Sequence, residues 1–223
     1  MSESPILFSA PMIRAILDGA KTMTRRMAKV PEWATVPKVD AAKGVVDWYA
    51  AEGSDRWVRN RCPYGKVGDV LWCREAWQAW FTDDGVERDW KDTPQPRRTQ
   101  DRMARIVYCA ADPKAAKRWV TPLFMPRWAS RITLRVTGIR VERLHTITEA
   151  DATAEGVEHY WSSLDYDRAK AISNVWSSVA ARRGWGKSPP DYRGAFGALW
   201  HEINGEASWN ADPFVWVVEF ERV

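Results

Sequence analysis

The segment GAKTMTRR, residues 19–26, holds the side chains best suited to catalysis in this sequence. A neutral lysine amine can remove the proton of a Ser or Thr hydroxyl, so Lys21 and Thr24 can form a base and a nucleophile. The same residues also fit a basic strand start after a helix, because cations complement the C-terminal end of a helix dipole. Both interpretations stay open on spacing alone.

The base role requires that the pKa of Lys21 fall by roughly three units from about 10.4. Burial and neighbouring cations both lower a lysine pKa, and Arg25 and Arg26 follow Lys21 closely. In a straight strand Lys21 and Thr24 would point to opposite faces, because their spacing is odd. The chain must therefore turn between them, whereas Arg26 shares a face with Thr24 and can hold a substrate oxygen there.

Other catalytic signatures are absent from the sequence. It contains no GxSxG, HExxH, Walker A or GxGxxG motif, and its three histidines are scattered. Its three cysteines are widely spaced and form no CxxC pair. We therefore expect no metal, no cofactor and no disulfide framework, and a reducing compartment such as the cytoplasm.

Composition gives only a general indication of the binding partners. The 223 residues carry a net charge of +4 with a pI near 9.0, which permits nucleotide or nucleic-acid ligands. No apolar run approaches the length needed to span a bilayer, and the first residues do not resemble a secretory signal, so we expect no membrane partner. Most of the 15 tryptophans should fill the core, with two or three stacking on a base.

The elements that must position these residues can be predicted from periodicity. Ser9 and Gly19 bound a predicted first helix, and Thr148 with Asp151 has the spacing of a capping box. The alternation in residues 131–144 slips at Gly138, which predicts a β-bulge. Helices are also predicted at 165–183 and 190–204, an exposed loop at 82–102, and a half-buried strand at 213–223. Strands without regular helical crossovers favour an α+β fold, here a small bulged β-barrel with helical insertions.

Four blocks of this sequence, in this order, resemble ASCH-domain proteins of the PUA-like superfamily. They are ILDGAKTMTRR (16–26), GDVL (68–71), ITEADATAEGV (147–157) and WVVEFERV (216–223). With MPRWASRITLRV (125–136), the pattern resembles the larger members carried by phages and prophages. The resemblance implies one PUA-like β-barrel domain over residues 1–223, with insertions at about 27–67 and 78–130.

The resemblance also implies an activity. Small bacterial ASCH proteins include amidohydrolases that cleave N4-acetylcytidine to cytidine and acetate with a Lys, a Thr and a Glu. The family's motif places these on Lys21, Thr24 and Glu155, with Glu149 as the alternative glutamate, and it places the following arginine on Arg26. In that mechanism Lys21 deprotonates Thr24, which attacks the amide carbonyl.

Residues flanking the matched blocks are candidates for holding the base. Trp72, Trp77 and Trp128 can stack on it, and Glu75 can pair with a cytosine amine or with Arg74. Each of the tryptophans also fits a purely structural role in the core.

Two other functions of the same class stay open. PUA-like proteins often bind RNA, and some ASCH proteins cut single-stranded RNA, so RNA is the alternative partner to a free nucleoside. Acidic residues at 82–92 and 149–158 argue against a large RNA surface. A monomer and a small homo-oligomer are equally compatible with the sequence.

Overall fold

The computed structural model describes residues 1–83, 86–92, 103–162 and 192–223. These ranges form a mixed α+β structure built mainly of sheet. The strands are β1 (Glu3–Leu7), β2 (Met23–Met27), β3 (Val36–Asp40), β4 (Val45–Tyr49), β5 (Trp57–Arg61), β6 (Val70–Arg74), β7 (Trp77–Asp83), β8 (Val86–Asp89), β9 (Met103–Tyr108), β10 (Thr133–Arg143) and β11 (Phe214–Arg222). The helices are α1 (Ala10–Leu17), α2 (Glu149–Ala154), α3 (Val157–Ser162), α4 (Tyr192–Asn204) and α5 (Glu206–Asn210).

The largest sheet has the strand order β1-β6-β10-β11-β2. β1 pairs with β6 in parallel, and the other neighbours are antiparallel. The described strands form open sheets, so the expected closed barrel is not found among them. The main sheet does not close at β2, because the unpaired edge of this strand faces Glu155 and helix α4 instead of another strand.

The two stretches expected as insertions each contain a three-stranded sheet, β3-β4-β5 and β8-β7-β9. The first packs on the main sheet, since Val46 and Trp48 share a buried cluster with Leu134. The second has a buried cluster of its own around Trp77 and Phe81. The predicted loop at 82–102 is wrong at the end of β7 and at β8, which pair with each other. Charged residues, which suggested a loop, are also typical of edge strands such as β8. Residues 84–85 and 93–102 lie outside the described ranges.

The predicted bulge at Gly138 is confirmed. The register between β10 and β11 shifts between Val136 and Gly138. A Cβ atom at Gly138 would displace the flexible Glu219 carboxylate, and glycine within a strand is typical of such a bend.

The described helices agree with the sequence patterns. Gly19 follows α1 with a φ of +75°, and Thr148 and Asp151 make both bonds of the capping box that starts α2. The helix predicted at 190–204 corresponds to α4, whereas the one predicted at 165–183 lies outside the described ranges. None of the described helices combines the length and apolar character that a bilayer crossing requires.

Both faces of β11 are covered, which corrects the prediction of a half-buried strand. Trp216 and Val218 face the cluster that includes α1, as the alternation predicts. Val215 and Val217 are also fully buried, in a second cluster with Phe196 of α4. The helices after residue 144 pack on this second face and leave only the end of the strand exposed.

Candidate functional site

The chain changes course at residues 21 and 22, just before β2 begins. The Lys21 N–H donates to Ala15 O at 3.0 Å, and the Thr22 N–H donates to Ala154 O at 2.9 Å. Lys21 also forms an isolated antiparallel bridge with Glu155. Lys21 therefore lies before the regular strand that contains Thr24. The chain departs from a straight strand between the two residues, as their odd spacing requires if their side chains are to meet.

Strand β2 turns alternate peptide groups toward its free edge. Phe220 N donates to Thr22 O at 2.8 Å and Ala28 N donates to Phe214 O at 2.9 Å, which fixes the even-numbered residues as the hydrogen-bonded partners of β11. In an antiparallel ladder the intervening residues then direct their N–H and C=O groups away from the partner strand. The peptide groups of Met23 and Arg25 consequently face the open edge.

A buried ion pair joins Lys21 to Glu155. Lys21 Nζ donates to Glu155 Oε2 at 2.7 Å, to Glu155 O at 2.8 Å and to Met23 O at 2.8 Å. The two residues are only 2% and 4% exposed. An ammonium group has three N–H donors, so every donor of Lys21 is used in holding the glutamate and the strand edge.

Burial lowers the pKa of the Lys21 amine, and this is the dominant influence on it. The Glu155 carboxylate opposes that effect, and the charges of Arg26 and Arg25 reinforce it. The lowering of the Lys21 pKa by burial and by the two arginines agrees with the sequence-based expectation.

Arg25 is the centre of a buried charge network that the sequence analysis did not single out. Its Nη2 lies 2.6 Å from Glu142 Oε1 and 3.0 Å from Asp151 Oδ2, and its Nη1 lies 3.5 Å from Glu155 Oε1. The guanidinium also lies 5.8 Å from the ring centre of Phe196. Arg140 also donates to the carboxylates of Glu142 and Asp151. These two carboxylates are therefore fixed, and they hold Arg25 beside Glu155.

The second carboxylate oxygen of Glu155 has no hydrogen bond. Oε1 is buried and is without a hydrogen-bond partner in the described part of the chain, with Arg25 Nη1 as its charged neighbour at 3.5 Å. Since a buried acceptor without a hydrogen bond costs free energy, this oxygen is the atom of the ion pair that an additional donor would satisfy.

Glu155 lines a cavity of about 60 Å³ at the free edge of β2. Thr24, Arg25 and Arg26 line it from the strand, and Phe196, Leu199, Trp200 and Ile203 line it from α4. Thr24 is 2% exposed. The cavity therefore brings a threonine, a carboxylate and the open peptide edge of β2 together beneath an apolar wall.

Arg26 lies at this cavity, as the sequence predicts. Its Nη2 donates to Leu7 O at 2.6 Å, and its guanidinium lies 5.4 Å from the ring centre of Phe8. Its buried Nε has no hydrogen-bond partner within the described ranges, so one donor remains for a ligand.

The two candidate glutamates have different environments. Glu149 accepts hydrogen bonds from Tyr192 N at 2.9 Å and Arg193 N at 3.3 Å, where it closes the start of α4. Glu155 is the one that contacts Lys21 and the cavity. Glu149 therefore caps helix α4, whereas Glu155 belongs to the candidate site.

The other predicted base-binding residues are not placed at this cavity. Glu75 is bonded through both oxygens to Arg131, at 2.8 and 3.1 Å, rather than to Arg74. Trp77 is fully buried, and Trp128 packs edge-on against it with ring centres 5.9 Å apart. Trp72 is buried in β6 with the Arg74 guanidinium 4.6 Å from its ring centre. Trp77 and Trp128 belong instead to the buried cluster of the β8-β7-β9 sheet.

The apolar wall of the cavity was missed by sequence reasoning. Phe196, Leu199 and Trp200 belong to a helix predicted correctly, but periodicity does not reveal which strand a helix packs against. The available signal was the apolar content of residues 195–200, which exceeds what a surface helix needs.

Gly156 fixes the distance between Glu155 and Lys21. Its φ is +74°, and a Cβ built on it would lie 2.8 Å from Ala15 Cβ and 2.9 Å from Lys21 Cβ. Only a residue without a side chain fits here, because both neighbours belong to well-packed segments.

Replacing Gly156 by Ala is therefore expected to destabilise the fold and weaken any activity that depends on the ion pair. Gly19→Ala is the matched control, since Gly19 has the same positive φ of +75° but nothing within 4 Å of its Cβ position. Denaturant unfolding should show Gly156→Ala to be the more destabilised by about 1–3 kcal/mol, the cost of overpacking. Equal losses in the two variants would contradict the close contact.

Within the described ranges, no group of three or more His, Cys, Asp or Glu side chains is placed to hold a metal ion.

Comparison with known proteins does not identify a family for this chain. No family model matches it, and neither the curated proteins nor the solved structures give a match.

Proposed function

We propose that this chain is a PUA-like ASCH-type amidohydrolase that cleaves the N4-acyl amide of N4-acetylcytidine-type nucleosides, with Thr24 as nucleophile. One observation carries the proposal: Thr24 and Glu155 line the same cavity, and Glu155 Oε1 is buried with no hydrogen bond from any described residue. A buried hydroxyl and a carboxylate that line one cavity are the nucleophile and the proton acceptor that nucleophilic acyl transfer requires.

We assign the proton transfer to Glu155 rather than to Lys21. The three N–H groups of Lys21 are all donated, and Lys21 is not among the residues that line the cavity. Glu155, in contrast, lines the cavity, and its Oε1 is an acceptor without a hydrogen-bond partner among the described residues. In this scheme Lys21 is a positioning residue that fixes the carboxylate through Oε2.

The reaction then proceeds in two steps. Thr24 Oγ1 attacks the amide carbonyl carbon while its proton passes to Glu155 Oε1, and the carbonyl oxygen becomes an oxyanion. The C–N4 bond breaks as the proton moves from Glu155 to N4, which releases cytidine and leaves acyl-threonine. Water attacks this ester, gives one proton to Glu155, and the carboxylate product leaves as Thr24 recovers its hydroxyl proton.

The open edge of β2 offers the oxyanion donor. The ladder register directs the Arg25 N–H away from β11, at a strand position that lines the cavity. A preorganised backbone donor in a buried site stabilises developing negative charge strongly. The free Nε of Arg26 is a second donor at the same cavity.

The cavity volume limits what enters it. About 60 Å³ is well below the size of pockets that enclose a whole small-molecule ligand. We therefore place the acyl group inside, against Leu199 and Phe196, and the cytosine and ribose outside, toward Met27 and Asn204 at the mouth.

Turnover of N4-acetylcytidine by purified protein, followed as cytidine release, tests this function. Thr24→Val should abolish release, Thr24→Ser should retain part of it, and Thr22→Ala should leave it unchanged because Thr22 is an exposed neighbour in the same segment. A wild-type protein without turnover would contradict the proposed substrate.

Binding or cleavage of RNA at this site makes a different prediction. An RNA-binding role would tolerate Thr24→Val, and a ribonuclease would release shortened RNA rather than acetate. The same variants therefore separate the three functions.

A further inference from the structure

A second cavity lies away from Thr24, on the sheet formed by β7, β8 and β9. Its volume is about 480 Å³, which is within the range of pockets that enclose small ligands. Gln78 and Trp80 form its floor from β7, and the segment before Val120 covers it with Lys117 and Arg118.

Gln78 is an unusual floor residue. It is 2% exposed, and its Oε1 is buried with no hydrogen-bond partner in the described structure. Gln78 and Trp80 are on the face of β7 opposite Trp77 and Phe81, which fill the adjoining core. Because Gln78 lines the cavity, a ligand bound there can satisfy its unpartnered amide oxygen by donating to it.

A cation–π contact between Arg105 and Trp80 lies at the same cavity as Gln78. The Arg105 guanidinium carbon is 3.7 Å from the ring centre of Trp80, its cross-strand partner. Nucleobases stack on guanidinium planes and on tryptophan, and a glutamine amide recognises base edges through paired donor and acceptor groups. The floor therefore has the chemistry of a nucleobase site.

The rim supplies positive charge for a phosphate. Lys117 and Arg118 are exposed and line the cavity, and neither has an ion pair among the described contacts. Asp89 and Asp92 lie on the other side of the rim, where carboxylates can accept from ribose hydroxyls. Asp89 already accepts from Lys91 N at 2.7 Å, which holds that side of the rim in place.

From these observations we propose that the cavity between β7 and residues 115–118 binds a nucleotide, with the base edge at Gln78 and the phosphate at Lys117 and Arg118. The site is independent of the Thr24 cavity, so it does not rest on the proposed amidohydrolase activity. The ligand is either a free nucleotide or one nucleotide of a single-stranded RNA, since both present a base and a phosphate.

Calorimetric titration of the full chain with CMP, cytidine, ribose 5-phosphate and a short single-stranded cytidine RNA tests the proposal. CMP or the RNA should bind, and cytidine and ribose 5-phosphate should each bind less tightly than CMP. Binding of the RNA alone would assign the site to RNA, and binding of CMP would assign it to the free nucleotide. No binding of either would overturn the proposal.

Variants then locate the binding. Lys117→Ala/Arg118→Ala should weaken it by about tenfold or more, the loss expected for charge-assisted hydrogen bonds, and should reduce its salt dependence. Lys114→Ala is the matched control, because Lys114 is an exposed lysine of the same segment outside the cavity lining. Gln78→Leu should weaken CMP but not ribose 5-phosphate. Binding unchanged in the surface double variant would overturn the proposal even if Gln78→Leu does not fold.

Discussion

Glu155→Gln is expected to lower kcat on N4-acetylcytidine by about 10²- to 10⁴-fold, the usual contribution of a positioned general base. Glutamine can still accept the hydrogen bond from Lys21 Nζ, which now lies 2.7 Å from Glu155 Oε2, so the side chain should keep its position although loss of the buried carboxylate charge lowers the free energy of unfolding. It cannot take a proton from Thr24 or return one to N4. Steady-state kinetics with cytidine release as the signal measure the effect.

Glu149→Gln is the control for this variant. Glu149 lies in the same helical block but is exposed and accepts from Tyr192 N, so its replacement should leave kcat within a small factor of wild type. If Lys21→Met abolished turnover while Glu155→Gln retained it, the base would be Lys21 and our assignment would be wrong.

Lys21→Met should cost about 3–5 kcal/mol of the free energy of unfolding, the range seen when one partner of a buried ion pair is removed. The variant leaves the Glu155 carboxylate, which is 4% exposed, with Arg25 at 3.5 Å as its remaining charged neighbour. It also removes the donor to Met23 O at the edge of β2. Denaturant unfolding followed by circular dichroism measures the loss.

The double variant Lys21→Met/Glu155→Leu should recover much of this loss, because it removes both buried charges together. Lys43→Met is the exposed control, since the Lys43–Asp40 pair lies at the surface at 2.8 Å and should contribute little. A Lys21→Met protein as stable as Lys43→Met would contradict the buried, strongly coupled pair.

Local sequence signals were sufficient to predict the turn, the bulge and the helix start that position the site. The residues around Gly19, Gly138 and the pair Thr148–Asp151 each encode their structure within a few positions, through a positive φ, a bulge and a capping box. Such features depend on neighbours in the chain, which the sequence displays directly.

The contacts that make the site are long-range and were harder to predict. Lys21 and Glu155 are 134 residues apart, and only a resemblance in the order of motifs, rather than any periodicity, predicted that they share a site. The role of Arg25 could not be predicted, because its partners Glu142 and Asp151 come from two other elements. That Trp72, Trp77 and Trp128 lie away from the Thr24 cavity could not be predicted either, since the abundance of tryptophan does not indicate which face a ring occupies.

The most direct test of the account is the chemical fate of Thr24 during one turnover. Protein mixed with N4-acetylcytidine, quenched rapidly, digested and examined by mass spectrometry should carry one acetyl group on the peptide that contains Thr24, together with released cytidine. Thr24→Val should show neither product. Cytidine release that persists in Thr24→Val, or an acetyl group on another residue, would contradict the central claim that Thr24 at the edge of β2 is the nucleophile.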